Sequence, residues 1–138
     1  MLESPAITEV KRLRSLGAEI GEGTLIFGRV DVSVNYPNFI KIGKCCLIAS
    51  EAILLSHGYP HNWLPLVVGD NCYVGFRAIV LPGAIIADNC VVGAGAVVPK
   101  TLKVAEWSLI VGNPAVLKVL NRDRHKIFVD HMKTFVNA

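Results

Sequence analysis

Charge is scarce in this 138-residue chain. Asp, Glu, Lys and Arg make up 18% of it, and the net charge is only +3. A balance that mild argues against a nucleic-acid-binding protein while leaving room for an anionic ligand. None of the four cysteines (Cys45, Cys46, Cys72 and Cys90) stands in a Cys-x-x-Cys pair, so the signature of a structural zinc site is missing. Also missing are an apolar run of 18 residues and a basic segment followed by a short apolar stretch at the start. The expectation is a protein without a membrane span, located in the cytoplasm. Hydrophobic residues, by contrast, reach 52%. For one domain of this length, that excess suggests lateral association.

The apolar residues fall in a strict rhythm. Val68, Val74, Val80, Ile86, Val92, Val98, Val104 and Ile110 are six apart. Four residues after each come Cys72, Ala78, Ala84, Cys90, Ala96, Leu102, Ser108 and Pro114, nearly all small. A branched residue and a small one at fixed spacing both face one narrow interior. Hexapeptide periodicity of this kind marks a β-helix solenoid. The same rhythm opens at Ile20, Ile26 and Val32, and again at Ile42, Ile48 and Leu54.

Two breaks interrupt it. Val32 to Ile42 is ten residues, four too many, and Leu54 to Val68 is fourteen, eight too many. Inserts are therefore expected near 33–41 and 57–67, the second rich in Pro, Gly and Asn. Outside the repeat, Ser4-Pro5 starts a helix that carries Ile7, Val10, Leu13 and Leu16 at helical spacing and stops at Gly17. Residues 1–19 read as a cap on the open end of the solenoid. The β-helix is expected over 20–115, ending at Gly112-Asn113-Pro114-Ala115. Residues 116–138 read as a tail and a helix capped by Asn121, with Ile127, Phe128, Met132, Phe135 and Val136 on its packing side and His125 and His131 on the surface.

The stretches IGKCCLIASEAILLSH, VVGDNCYVGFRAIVLPGAIIADNCVVGAGAVVPK and IVGNPAVLKVL resemble the hexapeptide-repeat acyltransferases. The likeness is particularly to the xenobiotic, maltose/galactoside and polysaccharide O-acetyltransferase branch. That resemblance covers roughly Ile20 to Leu120. It implies an all-β solenoid, a left-handed parallel β-helix with short N-terminal and C-terminal helices, three hexads to a turn. On such a coil, units opening at 20, 42, 68, 86 and 104 stack on one face. Those at 26, 48, 74, 92 and 110 share a second face, and those at 32, 54, 80 and 98 a third. Both inserts then belong to the third face on adjacent coils, where loops on a rigid scaffold often carry function. Thr24, Cys46, Cys72, Cys90 and Ser108 form one inward column, the thiols filling small places as compact hydrophobes. Cys45 faces outward as a free surface thiol.

The resemblance further implies acetyl-CoA as co-substrate, no metal, and a homotrimer with active sites between subunits. His57, outward beside the longer insert, corresponds to the family's general base, which takes the proton from an acceptor hydroxyl as that hydroxyl attacks the thioester directly. Imidazole suits the task because it titrates near neutrality. Asn35 and Tyr36 in the shorter insert, with Tyr59, His61 and Trp63 in the longer, are candidates for binding a sugar, glycan or similar small acceptor. The family's upstream Asn falls near Arg29 by register, so Asn35 stands on its position alone.

For the donor, the candidates are Tyr73, Arg77, the small residues Gly75, Ala78, Gly93, Gly95 and Ala96 as outward or edge positions, Lys100 at the nucleotide end, and Lys118 near the phosphates. Pro99 stands where the family commonly has Thr. The Gly75 amide is a candidate oxyanion donor. Two other readings compete: a non-catalytic β-helix assembly module, and a γ-class carbonic-anhydrase-like zinc enzyme. The second needs three histidines, and only His57 and His61 precede residue 125.

Overall fold

A computed structural model describes residues 3–59 and 62–136. The first coil of the solenoid holds β1 (Glu19–Ile20), β2 (Leu25–Ile26) and β3 (Arg29–Asp31). The second holds β4 (Ile40–Ile42), β5 (Leu47–Ile48) and β6 (Ile53–Leu55), followed by a hairpin of β7 (His57–Gly58) and β8 (Asn62–Trp63). The third holds β9 (Leu66–Val68), β10 (Tyr73–Val74) and β11 (Ile79–Val80). The fourth holds β12 (Ile85–Ile86), β13 (Val91–Val92) and β14 (Val97–Val98). Two sides of a fifth follow, β15 (Lys103–Val104) and β16 (Ser108–Gly112). Strands stack in parallel into three faces, β1-β4-β9-β12-β15, β2-β5-β10-β13-β16 and β3-β6-β11-β14.

The hexad register predicts the first two faces residue by residue. Ile20, Ile42, Val68, Ile86 and Val104 align in one column. Ile26, Ile48, Val74, Val92 and Ile110 align in the next. On the third face the first unit is displaced. Val30, not Val32, pairs with Leu54. The first coil omits two residues of the corner before β3. Gly28 takes that tight corner, where a Cβ would lie 2.5 Å from the Ala52 carbonyl oxygen. The shorter insert is thus longer by the same two residues.

Inside, the small places behave as the pattern requires. Cys72, Ala78, Ala84, Cys90 and Ala96 are all at most 1% exposed. The column is also polar in a way that size alone does not reveal. Thr24 Oγ1 donates to the Gly43 carbonyl. The thiols of Cys46, Cys72 and Cys90 lie 3.0–3.2 Å from the carbonyls of Gly69, Ala87 and Ala105 on the following coil. All four cysteines are free. Hydrogen bonding with Cys46, together with burial, pushes the Cys72 thiol pKa up. Hydrogen bonding with Cys72, together with burial, does the same for Cys90. The regularity fades at the end: Ser108 is only half-buried and Pro114 is exposed. There the chain reverses, and β17 (Ala115–Val119) adds an antiparallel strand to β16. It covers a sheet edge that would otherwise be bare, where the sequence reading had only a tail.

Both helices cap apolar surface. In α1 (Pro5–Ser15) the Ser4 hydroxyl accepts from the Ala6 amide and Gly17 sits at φ +106°. Val10 and Leu13 close the solenoid core, and Ala6 is buried where Leu16 is half exposed. In α2 (Arg122–Met132) the Asn121 side chain accepts from the Arg124 amide. Met132, with Phe128, Phe135 and Val136, covers Leu25, Leu47 and Cys45 on the second face. Three expectations change here. Cys45 points away from the coil yet is 6% exposed, because the C-terminal segment lies over it. His125 is buried, its Nε2 2.7 Å from the Asn71 carbonyl oxygen, with its ring stacked on Phe128. Ile127, expected on the packing side, is 72% exposed.

Candidate active site

The longer insert folds back as a hairpin with His57 paired across from Trp63 and Gly58 across from Asn62. Its base is fixed by the Leu64 amide donating to the Ser56 carbonyl, and by the fully buried Ser56 hydroxyl near the Asp31 carbonyl at 3.4 Å. The rings of His57 and Trp63 lie 4.8 Å apart.

One coil earlier, the buried Ser33 hydroxyl accepts from the amides of Asn35 and Tyr36 and turns the shorter insert into a 3-10 turn at Pro37–Phe39. Tyr36 stacks on Phe39 at 4.8 Å and stands 6.0 Å from Trp63. The two inserts therefore meet at one corner, between the third and first faces, and present a wall of three aromatic rings beside an imidazole.

Asp31 completes the group. Its Oδ2 lies 3.8 Å from His57 Nε2, while its Oδ1 accepts from Arg29 Nε at 3.0 Å. The His57 side chain is 45% exposed, so its ring is open to a reactant. An exposed imidazole has a ring nitrogen free to take a proton from a reactant, and the neighbouring carboxylate lies at its edge. Asp31 and Phe39 were not singled out in the sequence. The displaced register of the first coil hid Asp31, which truly lies beside Leu55, two residues before His57. The signal for Phe39 is its spacing of three from Tyr36 across Pro37, which a short helical turn converts into a stack.

The other candidates are dispersed. His61 lies outside the described residues. Tyr59 is 90% exposed, and its carbonyl accepts from Lys100 Nζ. Lys100 thus lies under the hairpin, close to Gly58. Tyr73 is on the second face, edge-on to Phe128 of α2 at 5.7 Å. Gly75, Arg77, Gly93 and Gly95 occupy the corner between the second and third faces, so the width of the third face separates them from His57. Arg77 pairs with Glu51 at 3.4 Å.

Ala78 and Ala96 are not outward positions: both are 0% exposed inside the coil. Gly75 is buried too. A Cβ there would meet the Ala94 amide nitrogen at 2.6 Å, and the Gly75 amide already donates to the Val92 carbonyl, so it is not free for an oxyanion. Of the small residues only Gly95, at φ +70°, opens onto free space. Lys118 is exposed on β17, opposite Leu109. Among the described residues no group of three or more His, Cys, Asp or Glu side chains is placed to hold a metal ion. None of their helices is long and apolar enough to cross a membrane.

Residues 65–100 match the family described as bacterial transferase hexapeptide (six repeats). Over 72 residues the chain is 39% identical to the 2,3,4,5-tetrahydropyridine-2,6-dicarboxylate N-succinyltransferase of Methylorubrum extorquens (strain PA1), covering 52% of this chain and 24% of that protein. The chain thus spans about a quarter of that relative's length. Among solved structures, a galactoside acetyltransferase in complex with coenzyme A superposes with a TM-score of 0.63 at 21% identity, over 90% of this chain and 76% of that one. A maltose O-acetyltransferase from Clostridium difficile 630 gives 0.58 at 22% identity, over 88% and 79%. At such identities these two likenesses speak for the fold.

Proposed function

We propose that the protein is a hexapeptide-repeat acyltransferase that moves an acyl group from a coenzyme A thioester to a hydroxyl or amine of a small acceptor, with His57 as general base. The observation that carries this is the convergence of both inserts on one corner, where His57 stands between Asp31 and the Trp63 ring. A β-helix that served only as scaffold has no need of an outward imidazole, a carboxylate at 3.8 Å and three aromatic rings at its two irregularities.

In the reaction, His57 takes the acceptor proton as the acceptor oxygen or nitrogen bonds to the thioester carbonyl carbon. The carbon–sulfur bond breaks, and the proton passes to the departing thiolate, so no covalent enzyme intermediate forms. Asp31 favours the transient imidazolium. The aromatic wall supplies an apolar face and suits a sugar ring. Acetyl-CoA is the first donor to consider. The succinyltransferase relative makes succinyl-CoA the second.

Tyr73, Arg77, Gly93 and Gly95 lie across the third face from His57 in the same chain, so one chain does not gather the donor candidates around its own base. That arrangement supports a cyclic homotrimer in which a neighbour's second-to-third corner faces His57, with Lys118 as an exposed cation toward the donor phosphates. Closed rotational symmetry would give three equivalent sites. The test is calorimetric titration with acetyl-CoA and with succinyl-CoA, combined with a mass measurement in solution and a screen of sugars, nucleotide sugars and amines for free CoA thiol. Binding of one donor to a trimer, with acceptor-dependent thiol release, supports the proposal. A protein that binds neither thioester is the assembly module instead.

A further inference from the structure

Lys100 is used in a way that donor binding does not explain. It lies on the corner after β14, two coils beyond His57, yet its ammonium reaches back to the hairpin and donates to the Tyr59 carbonyl. The aliphatic part of the side chain is engaged as well. A Cβ on Gly58 would sit 3.0 Å from both Cε and Nζ of Lys100 and 3.6 Å from Cγ of Pro82. Gly58, directly after His57, is therefore seated on the lysine.

The return strand is fitted to the same corner. A Cβ on Gly83 would meet Cγ2 of Thr101 at 3.0 Å and Cδ1 of Leu64 at 3.1 Å. β7 and β8 are two residues each and hold a single cross-strand register. An isolated hairpin so short is marginal in water, so its orientation depends on what it rests upon. The corner of the third and fourth coils supplies that support, and Lys100 is its one charged member.

We propose that Lys100 is a positioning residue for His57. It braces the hairpin so that the imidazole is held against Asp31 and Trp63. The inference rests on the acyl-transfer reading above, but its geometric part stands apart from it. A small misplacement of a catalytic group can lower the rate by about a hundredfold, and loss of the brace acts through that route, on kcat more than on donor affinity. A residue that contacts the donor phosphates would act on donor affinity instead.

The experiment compares Lys100→Met, which keeps length and loses charge, with Lys100→Arg and Gly58→Ala. Kinetics in each are accompanied by Trp63 fluorescence in a Trp107→Phe background, where Trp63 is the single tryptophan. A His57 ring 4.8 Å away makes that emission sensitive to the His57–Trp63 geometry and to imidazole protonation. The expected result for Lys100→Met is a kcat lower by about 10- to 100-fold, with the acetyl-CoA KM within about threefold and a displaced pH dependence of Trp63 emission. Lys100→Arg should restore part of both.

Gly58→Ala, with Lys100 intact, should reproduce the emission change, and the double variant should be no worse than the more impaired single one. Circular dichroism keeps unfolded variants out of the comparison. A rise of more than about tenfold in the acetyl-CoA KM, with kcat and Trp63 emission unchanged, would make Lys100 a donor contact and overturn the proposal. So would wild-type behaviour in every readout. If the wild type transfers no acyl group, the fluorescence arm still decides whether Lys100 braces the hairpin.

Discussion

Replacing Met132 with alanine tests how the C-terminal helix is held. Met132 is fully buried in a small cluster with Ala6, Leu25 and Cys45. Truncating a buried methionine to alanine costs about 2–5 kcal/mol. The cluster is separate from the main core, so most of that loss should fall on the docking of α2. Taking about 3 kcal/mol, the population with the helix lifted rises roughly a hundredfold. Cys45 is the reporter. Burial pushes its thiol pKa up, and the helix must move before a reagent reaches it.

The assay is native-state alkylation with peptide mapping by mass spectrometry. The expected outcome is slow labelling of Cys45 in the wild type, accelerated about a hundredfold in Met132→Ala. Cys46, Cys72 and Cys90 should stay unlabelled in both. Rapid labelling of Cys45 in the wild type would show that it is a surface thiol after all. Equal labelling of all four in the variant would show that the helix and the coil open as one unit.

Two further predictions concern the coil and the base. The raised pKa values of Cys72 and Cys90 mean that the fold keeps both thiols protonated. Their contribution is complete below the unfolded value of 9.0 and is lost as pH rises above it toward the folded values. Denaturant titrations between pH 8 and 10 should therefore fall more steeply above pH 9 in the wild type than in Cys72→Ala, with a difference of about 1 kcal/mol by pH 10; parallel curves would contradict this. Asp31→Asn keeps the shape beside His57 and removes the charge. Because both side chains are partly exposed, the pair is worth about 1 kcal/mol, so kcat should fall about fivefold with the acceptor KM little changed. An unchanged kcat would remove Asp31 from the account.

Legibility in the sequence followed the repeat. Where large and small residues alternate in the narrow interior, one side chain more or less is not tolerated, and the first two faces could be read to the residue. Reading failed where the chain leaves that constraint. Gly28 shortens a corner, so the unit at Val30 was assigned to Val32, and with it Asp31 was missed beside His57. Ala78 and Ala96 show the opposite error: the small fifth place that marks them as interior also excludes their side chains from a donor groove. Cys45 and His125 were read as surface because a hexad position or a helical pattern describes one element alone. What covers them is a second element, brought there by β17 and α2. His57, Tyr36 and Trp63 were singled out because two interruptions stack on one edge, and their rings do lie together there. Lys100 was assigned from a motif, and its reach to the Tyr59 carbonyl depends on a hairpin that no repeat encodes.

The central claim is that His57 is the base of an acyl transfer. It is tested most directly by CoA thiol release from acetyl-CoA or succinyl-CoA with a working acceptor, comparing the wild type with His57→Ala. The account predicts a loss of about 10²- to 10⁴-fold in turnover while the donor still binds. Near wild-type turnover by His57→Ala would contradict it.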